Sequence, residues 1–281
     1  MALDALALTK WSARFLTLLE DAHVFKLGTN RNYEGEVQAA AALKVFTDPE
    51  VTTTAYARGD TITYSRLTPG EQVLVIDQRQ VWAIRVDSLE KLLARGSLWE
   101  RALKRGAWQL ADDVDDFIRD AMDSATPTAQ TLTARTIGLG MGLANAYELL
   151  VDLDKALTKA NVPPDGRHVF ISPDYEGFLT KDPRFSSFNT AEARKTIRGT
   201  AIGMVSNMEV HVSNNLVVSG TTYTIQAAWD GAMTYAEQLS EIRQIPVTAG
   251  DKDERADSEL VFGGKVLLPM GLANCDVQFA V

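Results

Sequence analysis

From Asp87 to about Ser124 apolar residues return at helical spacing, placing Leu89, Leu92, Leu93, Trp99, Leu103, Leu110, Val114, Phe117 and Ile118 on one stripe. Gly96 is a C-terminal stop, and Ser97 followed by Glu100 forms a capping box, so the stretch divides into two helices. The second, about 26 residues, would be roughly 40 Å long at 1.5 Å per residue, which is more spine than a small core requires. Ahead of it, from Glu36 to Asp87, the period is two. VTTTAYA, TITY and EQVLVIDQRQVWAIRV are separated by turn residues at Asp48-Pro49, Arg58-Gly59-Asp60 and Thr68-Pro69-Gly70, which predicts a long hairpin or meander. Trp82, Ile84 and Val86 share one face of its last strand. The middle strands are too polar to hold a core of their own, so this hairpin needs a neighbour. The segment up to about Asn32 also reads as incomplete: Trp11, Phe15, Leu18 and Leu19 make one short amphipathic stripe, with too little apolar surface to fold alone. It is expected to dock on something else.

After Thr126-Pro127 the pattern predicts a Thr-rich link and a helix from Leu139 to Ala160, closed by Asn161 and Pro163-Pro164. Asp165-Gly166 turns the chain into an apolar strand from Arg167 to Ile171. Ser172 and Pro173 then fit the N-cap and first position of a helix carrying Tyr175, Phe178 and Leu179, stopped at Asp182-Pro183. Strands are expected at Met208 to Val212, Tyr223 to Ala228 and Glu241 to Val247, with a short helix from Ala232 to Leu239. GDKDERAD, residues 250 to 257, reads as a solvated loop, and 260 to 268 and 276 to 281 as late strands. The sum is a mixed α+β fold with discontinuous sheets.

Composition narrows the class. A chain of 281 residues, 46% hydrophobic and 23% charged, can bury a sizeable core, and no apolar run approaches the length of a membrane span. No signal peptide is evident at MALDALALTKW. The single cysteine, Cys275, excludes an intrachain disulfide and suits a reducing compartment. A formal charge of −9 argues against a chain whose main task is to grip phosphates, although not against a wall that encloses nucleic acid without holding it.

Candidate chemistry is sparse. No two of His23, His168, His211 and Cys275 stand at metal-ligand spacing, and His23, beside Glu20 and Asp21, reads as part of a solvated ion pair. Gly138, Gly140 and Gly142 invite a phosphate-binding reading, but position 143 is leucine and no Lys-Ser or Lys-Thr follows, so a hinge entering a helix is favoured. No GxSxG is present. No catalytic group, cofactor or metal is expected. The sharpest charge feature is Asp112, Asp113, Asp115 and Asp116, of which 112, 113 and 116 share a helix face. The preceding half of that region is basic, through Lys91, Arg95, Arg101, Lys104 and Arg105. Because acids are unfavourable toward a helix C-terminus, these charges are expected to be matched on neighbouring chains.

NVPPDGRHVFISPDYEGFLTKDPRF and GMVSNMEVHVSNNL resemble the central domain of tailed-bacteriophage major capsid proteins with the Hong Kong 97 fold. YARGDTITYSRLTPGEQVLVIDQ resembles that family's extended loop, RALKRGAWQLADDVDDFI its spine helix and GGKVLLPMGLA a returning strand, all in the family's order. The resemblance implies an N-terminal arm over residues 1–35 and an extended loop over 46–78. It implies a peripheral domain from 36–45, 79–129 and 248–281, and an axial domain over 130–247. It further implies self-assembly through pentamers and hexamers into an icosahedral shell around a double-stranded DNA genome, without sequence-specific binding or a membrane. Scaffolding, portal and decoration proteins are the expected partners, with assembly in the host cytoplasm and residence in the virion. Because the chain begins at the arm, a separate scaffolding protein is expected, and the absence of lysine between Thr47 and Gln80 speaks against a loop crosslink. The expected subunit-interface residues are Trp11, Phe15, Arg58, Asp60, Tyr64, Arg66, Asp112, Asp113 and Asp116. The same fold would also serve an encapsulin-like nanocompartment shell. A soluble enzyme using the Gly138 to Gly142 turn is the reading from another class.

Overall fold

The computed structural model describes residues 15, 17–19, 23–33, 42–47, 53, 55–57, 64, 70–86, 98–138, 142–182, 201–239, 243–245 and 254–280. Two larger sheets, a two-stranded ribbon and one long helix organise them. The helix, α1 (Leu98–Ala125), has 28 residues, about 42 Å at the α-helical rise. Leu103, Ala107, Leu110, Ala111, Val114, Ile118 and Met122 form its buried stripe, as the sequence period requires. The expected break at Gly96-Ser97 lies outside the described residues.

A seven-stranded mixed sheet runs in the order β4-β13-β9-β5-β7-β6, with β8 paired to β9. Its strands are β4 (Thr131–Ile137), β5 (Arg167–Ile171), β6 (Ala201–Val205), β7 (Met208–Val212), β8 (Val218–Ser219), β9 (Thr222–Trp229) and β13 (Leu272–Phe279). One face carries α2 (Ala146–Lys159) and α3 (Pro173–Thr180), where Tyr175 and Phe178 pack on Phe279. The other face meets α1, through Gln226 Nε2 donating to Arg119 O and Asn274 Nδ2 donating to Asp123 Oδ1. It also meets a 3-10 turn at Phe25–Gly28, where Phe25 stacks on Phe170. Both helix starts follow local chemistry: Asn145 caps α2 by accepting from Tyr147 N and Glu148 N, and Ser172 caps α3 by accepting from Tyr175 N. Arg167 is fully buried at the start of β5. Its guanidinium pairs with Asp154 and donates to Thr158 and to the carbonyls of Val162 and Pro163, fastening the end of α2 to the sheet.

The second sheet is centred on β12 (Glu254–Val266), with β3 (Gln78–Val86) on one side and β10 (Met233–Leu239) and β11 (Arg243–Ile245) on the other. It crosses α1 where Trp82 lies against Gly106; a Cβ there would fall 1.7 Å from Trp82 Nε1. Phe117 meets Phe262 edge-on beside it.

Several expectations are corrected. Residues 233–239 are a strand, not a helix, because seven cross-strand pairs to β12 outweigh the helix preference of Ala, Glu, Gln and Leu. TLTARTI is strand β4, parallel to β13, rather than a link. The helix expected from Leu139 begins at Ala146; the described part of the glycine cluster is a turn, Gly142 having φ +84°. The solvated loop expected at 250–257 is ordered strand from Glu254 onward. β13, near the end of the chain, completes the seven-stranded sheet, while β10 and β11 pair with β12.

Candidate assembly surface

Ribbon β1–β2 pairs Ala42–Thr47 with Gly70–Val75, antiparallel, from Ala42 opposite Val75 to Thr47 opposite Gly70. Thr47 and Gly70 therefore lie side by side at one end of the ribbon. Alternation gives the ribbon two unlike faces. Leu43, Val45, Leu74 and Ile76 are buried with Ala236, and Tyr33, Val261 and Leu267 pack against them. The approach to β12 is so close that a Cβ on Gly263 would lie 2.2 Å from Val75 O. On the outer face Lys44 pairs with Glu71 at 2.9 Å and Val73 and Val75 stay exposed. Tyr56 and Tyr64, beyond the paired part, are 64% and 88% exposed. At that exposure a large amphipathic ring, Tyr64 above all, buries little in its own subunit. Of the loop residues singled out from sequence, only Tyr64 is placed; Arg58, Asp60 and Arg66 lie outside the described residues.

The arm behaves differently. Phe15 and Leu19 are fully buried, Phe15 against Trp82 with ring centroids 5.4 Å apart. Asn30 N donates to Met233 O and Tyr235 N to Asn30 O, so the arm's end joins β10. Lys26 is buried beneath it, ion-paired with Glu237 and 5.5 Å above the Tyr235 ring. The described arm residues thus dock on their own chain, and Phe15 is occupied within it. Trp11 lies outside the described residues. His23, read as solvated, is buried 3.5 Å from Asp115.

Asp115 sits on the core side of α1 and accepts from Val24 N at 2.7 Å, which anchors the arm turn. Asp112, Asp113 and Asp116 are half-buried. Asn215 Nδ2 donates to Asp112, and Arg119 pairs with Asp116 at 2.5 Å while donating to Asn215 O at 2.8 Å. Partial burial, then neighbouring carboxylates, raise Asp116; burial likewise raises Asp113, against a bond from Gln109. The expected partners on neighbouring chains are therefore supplied in part from within, by Asn215 and Arg119. The sequence reading missed that role of the SNN turn, whose signal was a polar Ser-Asn-Asn after a buried strand.

Chemistry does not converge on these surfaces. Cys275 is buried and its thiol is pushed up to about 11 by burial, so it is an inert filler. No described helix is long and apolar enough to cross a membrane. Polar faces and exposed rings beside a two-faced ribbon are features of a subunit that associates with others. The phage capsid protein family matches residues 80–274, more than half of the chain, and the chain belongs to that family. Among solved structures, a chain from Mycobacterium phage Che8 is 27% identical with TM-score 0.66, covering 90% of each chain. The capsid of Ralstonia phage GP4 superposes with TM-score 0.71 at 14% identity, covering 90% of this chain and 87% of that one. The capsid of a native GTA particle gives TM-score 0.62 at 13% identity, covering 93% and 91%. No curated protein matches the sequence. The nanocompartment and enzyme readings are not favoured by these matches.

Proposed function

We propose that this capsid subunit has the Hong Kong 97 architecture and closes, through pentamers and hexamers, into an icosahedral shell around a double-stranded DNA phage genome. The observation that carries the reading is the two-faced ribbon with its exposed rings: one face is buried on the subunit, the other keeps Val73 and Val75 exposed, and Tyr56 and Tyr64, between its strands in sequence, are largely exposed. A ribbon of this kind lies across an adjacent subunit and buries its rings there. Heterologous contacts that close then generate rings and shells. In this reading Arg58, Asp60, Tyr64 and Arg66 meet a neighbour at the loop, and Trp11 does so from the arm's start. Asp113, whose partner Gln109 is on its own helix, is the acid best placed to meet another chain. The four-stranded sheet with α1 corresponds to the peripheral part and the seven-stranded sheet with α2 and α3 to the axial part. A scaffolding protein guides assembly in the host cytoplasm, a portal occupies one vertex, and decoration proteins bind outside. The net charge of −9 keeps the wall from gripping its DNA.

Expression with and without the candidate scaffolding protein, followed by sedimentation and negative-stain electron microscopy, tests this. Closed shells or capsomer rings are expected; a persistent monomer under both conditions would overturn it.

A further inference from the structure

Away from the ribbon, three donor side chains meet on the face of the seven-stranded sheet that the arm turn covers. Strands β5 and β7 run parallel, with His168 opposite Glu209 and Phe170 opposite His211. Side chains two apart on a strand share a face, so His168, Glu209 and His211 point the same way, and with Leu27 and Arg31 of the arm they line a cavity of about 430 Å³. His168 Nδ1 lies 3.0 Å from His211 Nε2, and Glu209 Oε2 lies 3.8 Å from each of those nitrogens. One position between three atoms so spaced is about 2.1 Å from all of them, the bond length zinc takes to imidazole and carboxylate. Spacing along the chain did not suggest this, because 43 residues separate the histidines and only the parallel register joins them.

The surroundings suit a ligand set. His211 is 1% exposed, so its ring nitrogen meets the other two donors away from bulk water. Asp230 Oδ1 lies 2.8 Å from His168 Nε2, without an aligned hydrogen bond. A carboxylate there draws the ring proton to Nε2 and leaves the Nδ1 lone pair facing His211 and Glu209. A hydrogen bond between the two imidazoles accounts for their 3.0 Å separation, but not for a carboxylate oxygen set equally far from both nitrogens.

We propose that His168, Glu209 and His211 bind one divalent transition-metal ion of the zinc class per subunit, with Asp230 orienting His168. On binding, the single ring proton of His211 passes through solvent from Nε2 to Nδ1, so the imidazole stays neutral and gives its Nε2 lone pair to the ion. Glu209, partly exposed, swings to admit a water from the cavity as fourth ligand. The ion pins β5 to β7 at the seam where the arm turn rests. The inference stands on these strands alone and does not depend on how the subunits assemble.

Full-length subunit is stripped with a chelator, titrated with zinc chloride by calorimetry, and its metal content counted after gel filtration. One zinc per subunit and a raised Tm are expected. Glu209→Gln, on the partly exposed rim, removes a ligand without disturbing the core and weakens binding at least tenfold; His168→Gln and His211→Gln abolish stoichiometric binding. Asp230→Asn weakens it about tenfold, as loss of an outer carboxylate does elsewhere. Cobalt added to the unaltered chain gives the visible absorption of a four-coordinate nitrogen and oxygen site, displaced by zinc, which decides the matter if a histidine variant does not fold. An unaltered subunit that retains no zinc, or Glu209→Gln retaining it equally, overturns the proposal.

Discussion

The arm and the ribbon read alike in sequence, each an element with too little apolar surface to stand alone, yet they find their partners in different places. Phe15, Leu19 and Phe25 of the arm are fully buried, Phe15 against the chain's own Trp82 and Phe25 against its Phe170. Of the described residues at the ribbon, Leu43, Val45, Leu74 and Ile76 are buried, while Val73 and Val75, and Tyr64 beyond the paired part, are exposed. An unsatisfied apolar stripe shows that a partner is needed; whether that partner is the same chain depends on what lies within reach once the core has formed. Here the core offered the arm a groove beside α1 and β3, and offered the ribbon one face of β10 and β12.

This contrast predicts a graded set of effects. Phe15→Ala removes a ring from the core and is expected to destabilise the subunit by about 3–5 kcal/mol, read by denaturant unfolding, with assembly lost only because folding is. Glu237→Gln leaves Lys26 buried without its counter-charge and is expected to cost about 3 kcal/mol. Burial alone would raise Glu237, but the pairing with Lys26 outweighs it and holds the carboxyl below its ordinary 4.5. The folded value lies below the unfolded one, so this stabilisation is complete above about pH 4.5 and is lost as pH falls through the folded value. The Tm of Glu237→Gln is therefore expected to fall less steeply than that of the unaltered chain below pH 4.5. Gly263→Ala drives a methyl into Val75 O, pushes the ribbon off β12 and costs about 1–3 kcal/mol, with faster proteolysis near residues 42–47 than elsewhere. Tyr64→Ser has the smallest effect on folding, within about 0.5 kcal/mol, while the yield of closed particles in sedimentation drops sharply.

Much of the fold was legible because its signals were local. The stripe of α1, the Asn161 to Gly166 turn, the Ser172-Pro173 cap and the β5 and β7 strands all rest on periodicity or on residues with fixed conformational preferences. The misreadings share a cause. Residues 233–239 and 131–137 are polar or helix-tolerant sequences whose state is set by strands β12 and β13, far along the chain. The buried role of Asp115 was hidden among its acidic neighbours, since identity does not show which carboxylate meets the orphan N–H groups at Val24 and Lys26. The His168, Glu209 and His211 cluster depends on strand register, which spacing cannot encode. Of the assembly surface, the polarity of the loop was readable and its exposure was not.

The central claim is that Tyr64 of the loop serves a neighbour while Phe15 and Phe25 of the arm serve their own chain. A cryo-electron microscopy reconstruction of the assembled particle tests it most directly, by tracing each chain through residues 11–33 and 48–69. Tyr64 buried on an adjacent subunit, with Phe15 still on its own Trp82, is the expected result. A loop folded back on its own subunit, or Phe15 seated in a neighbour's core, would contradict it.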